Sequence, residues 1–214
     1  MRRDYILRIL SCFCGRLTRA AIVYKIMPAT EVCDILNRAH FCYAVTGNTL
    51  WTVERNLLQP GQHAPPFDLP DADMKVVSLG RFRNHRNVVL YFYPKDDTPG
   101  CTMEATDFSD LEDEFASLKT VVVGVSMDDC LSHGAFRDKH GICVLLLADA
   151  DGDVSRRYGV LQEKEVDGRR RTGIVRSTFV IDRKGILKHA LYGVNPRGHA
   201  VEVLDLVRGI GSCK

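Results

Sequence analysis

The chain has no C-x-x-C pair, although it carries eight cysteines in 214 residues. Cys12, Cys14, Cys33 and Cys42 lie before residue 50, while Cys101, Cys130, Cys143 and Cys213 are scattered beyond it. Paired spacing is what a zinc site, a disulfide framework or a dithiol disulfide reductase needs, so each is a poor account of these thiols. Free thiols in a reducing compartment fit better. An excess of either charge is also missing. Lys and Arg number 29 against 27 Asp and Glu, a net of +2, and their interspersion leaves no extended nucleic-acid surface. No run approaches the ~20 uninterrupted apolar residues of a membrane span. None of the seven histidines stands at ligand spacing from another; no metal or organic cofactor is expected.

A chain of this length can bury a sizeable core without covalent staples, and predicts one domain plus something extra. The extra part is residues 1 to about 55. Arg2, Arg3, Arg8, Arg16, Arg19 and Lys25 face a single early acid, Asp4, with apolar residues between them. Such a segment reads as a mitochondrial presequence, as a membrane-surface or partner helix, or as upstream sequence with no folded role. The last is the leading reading, so residues 1–55 are expected to be poorly ordered and dispensable. Residence is then cytoplasmic, with mitochondrial import as the alternative. The domain spans 56–214. Arg169, Arg170 and Arg171, beside Glu163, Glu165 and Asp167, read as a solvated loop over Glu163–Arg171.

What is present is a sharp strand–turn–helix unit. Val88–Phe92 is a run of β-branched and aromatic residues suited to a central strand buried on both faces. Pro94 ends it. Thr98-Pro99 then reads as a helix start, with the threonine hydroxyl as N-cap, proline at the first position and Cys101 at the third. In a capping box that third position holds a glutamate among unpaired N–H groups at the positive end of the helix dipole. A thiol there is pushed toward the thiolate for the same reason. Ala105, Phe108, Leu111, Phe115 and Leu118 continue the helix as one apolar stripe.

Around this unit, Phe67–Leu69 and Met74–Val77 predict a hairpin. Thr120–Ser126 and Val144–Leu147 predict strands, Leu131–His140 a helix and Asp153–Tyr158 a short one. Ser177–Ile181 with Ile186–Tyr192 predict a second hairpin, and His199–Arg208 a last helix. Alternating β–α–β–α–β order means an α/β fold with a mostly parallel sheet.

Pro94-x-x-x-Thr98-x-x-Cys101 resembles the P-x-x-x-[TS]-x-x-C signature of peroxiredoxins, and YFYPKDDTPGCTMEA resembles their bacterioferritin-comigratory, or Q-type, subfamily. The likeness continues through Gly124-Val125-Ser126, through Arg176 with Thr178–Asp182, and through Gly198-His199-Ala200, covering about residues 57 to 208. It implies a thioredoxin-like fold, a mixed sheet flanked by helices, and peroxide reduction by Cys101 through a sulfenic acid. Arg176 and Thr98 would hold thiolate and peroxide, and Pro94 would shield the sulfur. Glu104 either orients Arg176 or is an ordinary solvated helix residue. The implied partners are a peroxide and thioredoxin or a similar thiol reductant, with no nucleic acid and no membrane, on a monomer or weak dimer. A redox relay that passes oxidation to a partner protein is the rival function. The chain departs from the family at resolution. Thr106 stands where many members carry a second cysteine, and Arg137 where others do. The leading reading is a one-cysteine enzyme resolved by an external thiol; Cys130 is the alternative, followed by Cys143, Cys213, an N-terminal cysteine or a second subunit.

Overall fold

The computed structural model describes residues 42–46, 49–53, 57–166 and 169–210. An opening hairpin, β1 (Cys42–Thr46) and β2 (Thr49–Val53), precedes a shorter one, β3 (Asp68–Pro70) and β4 (Val76–Ser78), and a 3-10 turn at Leu79–Phe82. The alternating middle follows: β5 (Asn87–Phe92), α1 (Pro99–Asp110), α2 (Glu112–Ser117), β6 (Thr120–Ser126), α3 (Cys130–His140) and β7 (Leu145–Ala148). Helix α4 (Asp153–Arg157) leads to β8 (Leu161–Val166) and β9 (Arg169–Ile174), then β10 (Ser177–Ile181), β11 (Leu187–Tyr192) and α5 (His199–Ile210).

Five strands form the central sheet in the order β11-β10-β5-β6-β7. β5, β6 and β7 run parallel, and β10 is antiparallel to both of its neighbours. The sheet is therefore mixed, as expected, with β5 in the middle and every one of its residues buried. Period-two alternation splits β5 between two cores. Val88, Leu90 and Phe92 join Phe67, Val125, Tyr158 and Phe179 on one face; Val89, Tyr91 and Tyr93 join Cys101, Phe108, Phe136 and Val203 on the other. Helices α1, α3 and α5 contribute to this second layer. Gly124 is obligatory at its place in β6 opposite Tyr91, because a Cβ there would lie 2.6 Å from the Tyr91 ring and hydroxyl.

Three segments differ from the sequence reading. The expected helix through Leu118 breaks at Leu111, which takes φ −101° and ψ 8°, although Phe108 and Phe115 on either side still meet at 6.0 Å. The charged stretch Glu163–Arg171 is not a loop. It lies almost wholly within the antiparallel pair β8–β9, because cross-strand pairing satisfies the backbone whatever the side chains. Residues 42–46 and 49–53, which the sequence places in the extension, pair with each other as β1 and β2, and β2 pairs with β8 through Leu50–Glu165 and Trp51–Lys164. Residues 1–41 lie outside the described residues. No helix among the described residues is long and apolar enough to cross a membrane.

Candidate active site

Cys101 sits where the chain leaves the middle of the sheet. β5 runs into Tyr93, Pro94 turns the chain to the surface, and α1 begins at Pro99 with Cys101 as its third residue. The sulfur points inward: Cys101 is 2% exposed and belongs to the core layer beneath α1. One turn on, Glu104 faces the same way and is fully buried, as i, i+3 spacing on one helix face dictates. Arg176 arrives from the far side of the chain. It precedes β10, whose Ser177 pairs with Phe92, so strand register delivers it beside the carboxyl end of β5. Its own carbonyl accepts the Val194 N–H at 3.0 Å, tying down the backbone there.

These three residues form one unit. Arg176 Nη2 donates to Cys101 Sγ at 3.1 Å, and Arg176 Nη1 donates to Glu104 Oε2. Burial pushes the Glu104 carboxyl up to about 7, and the neighbouring Arg176 charge only partly restrains the rise. Burial works against the Arg176 charge, but Glu104 and Cys101 outweigh it and hold that pKa above its ordinary value. A permanently charged planar donor thus touches the sulfur, while a buried carboxylate fixes its plane. Glu104 is thus buried against Arg176 and is not a solvated helix residue. Its second oxygen, Oε1, is buried without a hydrogen-bond partner, as is the Tyr91 hydroxyl. Burial and then the Glu104 charge raise the Tyr91 phenol well above its usual range.

Thr98 departs from expectation in a way that bears on the chemistry. It occupies the N-cap position with extended backbone, φ −92° and ψ 145°, and its carbonyl accepts the Thr102 N–H at 2.8 Å. Its hydroxyl does not cap the helix. It donates to the Lys95 carbonyl at 3.1 Å instead, closing the loop on itself, and α1 is left with no side-chain cap. Pro94 ends β5 and is exposed.

Cys130 opens α3 and is half-buried, and Cys143 is exposed; with Cys101, both are free thiols. Cys213 and the cysteines before Cys42 lie outside the described residues. His199, read from the sequence as a helix-start residue, is buried with Nε2 2.8 Å from Thr178 Oγ1, pinning α5 to β10.

The sequence reading overlooked a second polar cluster at the same sheet edge. Tyr93 Oη donates to Asp96 Oδ1 at 2.7 Å, and His133 Nδ1 stands 2.8 Å from Asp96 Oδ2. The Asp96 N–H donates to Asp128 Oδ2 at 2.8 Å, and the same oxygen accepts from Ser126 Oγ at 2.8 Å. Tyr93 and Asp96 lie within the string that carries the resemblance, but His133 is 37 residues from Asp96, and no local spacing signals that pairing.

Comparison with known proteins places the chain in a family. The AhpC/TSA family model matches residues 60–190. A putative peroxiredoxin Bcp of Helicobacter pylori (strain J99 / ATCC 700824) is 45% identical over 148 residues, 69% of this chain and 97% of that protein. Peroxiredoxin Bcp of Bacillus subtilis (strain 168) is 39% identical over 151 residues, 71% of this chain and 96% of that protein. Among solved structures, the bacterioferritin comigratory protein of Xanthomonas campestris, described for its alkyl peroxide reduction activity, is similar with a TM-score of 0.66 at 34% identity. That match covers 73% of this chain and 99% of the other.

Proposed function

Since the chain belongs to the AhpC/TSA family, as a peroxiredoxin of the Bcp (Q) type, and is a thiol-dependent peroxidase, we propose that Cys101 is its peroxidatic residue. The observation that carries this is the buried Cys101 sulfur held 3.1 Å from Arg176 Nη2 while Glu104 anchors the other arm of the guanidinium. The Cys101 thiolate attacks one peroxide oxygen, an S–O bond forms as the O–O bond breaks, and the departing oxygen takes a proton and leaves as water or an alcohol. Sulfur loses two electrons, the peroxide gains them, and the product is a sulfenic acid. Arg176 and the uncapped N–H groups of the first turn of α1 stabilise charge as it moves from sulfur to oxygen. The Thr98 hydroxyl, held in place by the Lys95 carbonyl, presents its lone pairs to the proton of the incoming peroxide. Pro94 shapes the turn that brings these groups together.

Re-reduction uses an external thiol. Its sulfur displaces the sulfenic oxygen as water, giving a mixed disulfide that a second thiol opens, returning the Cys101 thiolate. A thioredoxin-type dithiol protein supplies both thiols. Free Cys101, Cys130 and Cys143 support residence in a reducing compartment such as the cytoplasm. Cys101, Glu104 and Arg176 all come from one chain, so a monomer or weak dimer suffices.

Cys101→Ser is the test, with hydrogen peroxide as substrate and thioredoxin as reductant. Turnover should disappear in the variant, and its persistence would refute the assignment. Rapid multiple turnover by the natural chain supports the peroxidase; a single oxidation followed by stable mixed disulfides points to the relay.

A further inference from the structure

Cys101 is buried to 2% exposure, and this divides the reaction into two steps with different steric demands. A peroxide is small enough to reach a sulfur beneath a helix terminus. A protein thiol is not, since disulfide exchange brings two sulfurs to about 2 Å with the attacking chain behind one of them. The loop carrying Cys101 therefore has to leave its seat before re-reduction, and whatever fastens it sets how often it does so.

That fastening lies outside the groups that touch the sulfur. Residues 94–98 are tied to α3 by two consecutive aspartates. Asp97, exposed and at a left-handed φ of 57°, pairs with Lys139 Nζ at 2.5 Å and His140 Nε2 at 2.7 Å in the last turn of α3. Exposed pairs of this kind are weak and screened. Asp96 is the stronger tie. It is buried, both carboxylate oxygens are engaged, by Tyr93 Oη at 2.7 Å and His133 Nδ1 at 2.8 Å, and its N–H is held by Asp128 at 2.8 Å. Withdrawing Asp96 from this site would leave the fully buried His133 ring with only the Tyr93 hydroxyl, at 3.4 Å from Nδ1, in place of a carboxylate at 2.8 Å.

We propose that the buried Tyr93–Asp96–His133 network is the latch of the Cys101 loop: it sets the population of the opened loop and thereby the rate of thiol re-reduction, while leaving the peroxide step nearly unchanged. These are positioning residues. The inference rests on Cys101 being the peroxidatic thiol, and the peroxide step serves as its internal reference.

His133→Leu removes one arm of the latch, and His133→Asn keeps a donor at the place of Nδ1. The two half-reactions are followed separately by stopped flow, with hydrogen peroxide for oxidation and reduced thioredoxin for re-reduction, alongside amide exchange over residues 95–103. In His133→Leu, re-reduction and local exchange should each rise at least about fivefold, as loss of a hydrogen bond to a charged group allows, while oxidation changes by less than about twofold; His133→Asn should return both toward the natural values. If the leucine variant does not fold, Tyr93→Phe carries the test with the same split at about twofold. Unchanged exchange over 95–103, or two half-reactions that shift together, would overturn the latch. Failure of peroxide to oxidise the natural Cys101 would instead overturn the assignment of the thiol.

Discussion

Helices α1 and α3 both leave the carboxyl edge of the central sheet and both carry a cysteine in the first turn, yet only one N-terminus is occupied. At α3, Asp129 is the N-cap and its carboxylate accepts the Ser132 N–H at 2.8 Å. At α1, the residue in the same position is Thr98, whose hydroxyl turns away to Lys95. The anion that a helix start attracts is thus built in at α3 and missing at α1. Cys130 adjoins a filled position; Cys101 lies in an open one, with Arg176 added. A cysteine at a helix start is not by itself a reactive centre; the proposed chemistry at Cys101 rests on a cap that is withheld and on a positive group brought in from just before β10.

The most damaging way to break this contrast is to remove the added charge. Arg176→Met should slow oxidation of Cys101 by hydrogen peroxide about a hundredfold, the usual scale for losing one preorganised donor at developing charge, with stopped-flow fluorescence as the readout. Nothing comparable should follow from changes around Cys130.

A smaller effect comes from exchanging the roles of the two N-caps. Thr98→Val should lower the oxidation rate about fivefold, the loss of one neutral hydrogen bond in the transition state, and barely move the melting temperature, since the hydroxyl does not cap α1. Asp129→Ala should do the reverse: a melting point lower by a few degrees and unchanged peroxide kinetics. If Thr98→Val destabilised the fold as much as Asp129→Ala, the description of α1 as uncapped would be wrong.

The strand, the turn and the cysteine at the head of α1 were all legible in the sequence, because a run such as Val88–Phe92 and a Thr-Pro start are local signals. So was Arg176, through the motif that carries it. The direction of the Thr98 hydroxyl was not, since a hydroxyl can serve either as a cap or as a loop donor and only the path of Lys95 decides. Charged Glu163–Arg171 reads as a loop because its side chains give no apolar alternation, while the backbone pairing of β8 with β9 that makes it a hairpin is blind to side-chain charge; the Leu50–Glu165 and Trp51–Lys164 pairs that join β2 to it are long-range and carry no local signal. The pairing of Asp96 with His133 was invisible for the same reason.

Acidity gives a subtler probe. Glu104 titrates near 7 in the folded protein against an ordinary 4.5, so as pH falls through about 7 the carboxylate that anchors Arg176 is lost. The oxidation rate should fall through that window in the natural chain, and Glu104→Gln should sit near the low-pH rate on both sides of it. Stability runs the opposite way. A raised carboxyl pKa means that the folded state holds the proton more tightly than the unfolded chain, so this group's contribution is full below 4.5 and is lost as pH climbs to about 7. Urea melts at pH 5 and pH 8, with Glu104→Gln as reference, read that difference.

The smallest effect is expected from the amino-terminal region. Every residue assigned to the site lies within 94–176, and a chain beginning at Asn56 should keep peroxide turnover within about twofold, since the deletion removes none of the groups that hold Cys101. Its melting temperature reports what the pairing of β2 with β8 contributes.

The most direct measurement is peptide mass spectrometry of the protein after one equivalent of hydrogen peroxide in the presence of dimedone. The contrast between the two helix starts predicts a single dimedone adduct, on Cys101, with Cys130 and Cys143 recovered as free thiols and no intramolecular bridge. A Cys101–Cys130 disulfide peptide, lost in Cys130→Ser together with thioredoxin-driven turnover, would contradict it and make Cys130 the resolving residue.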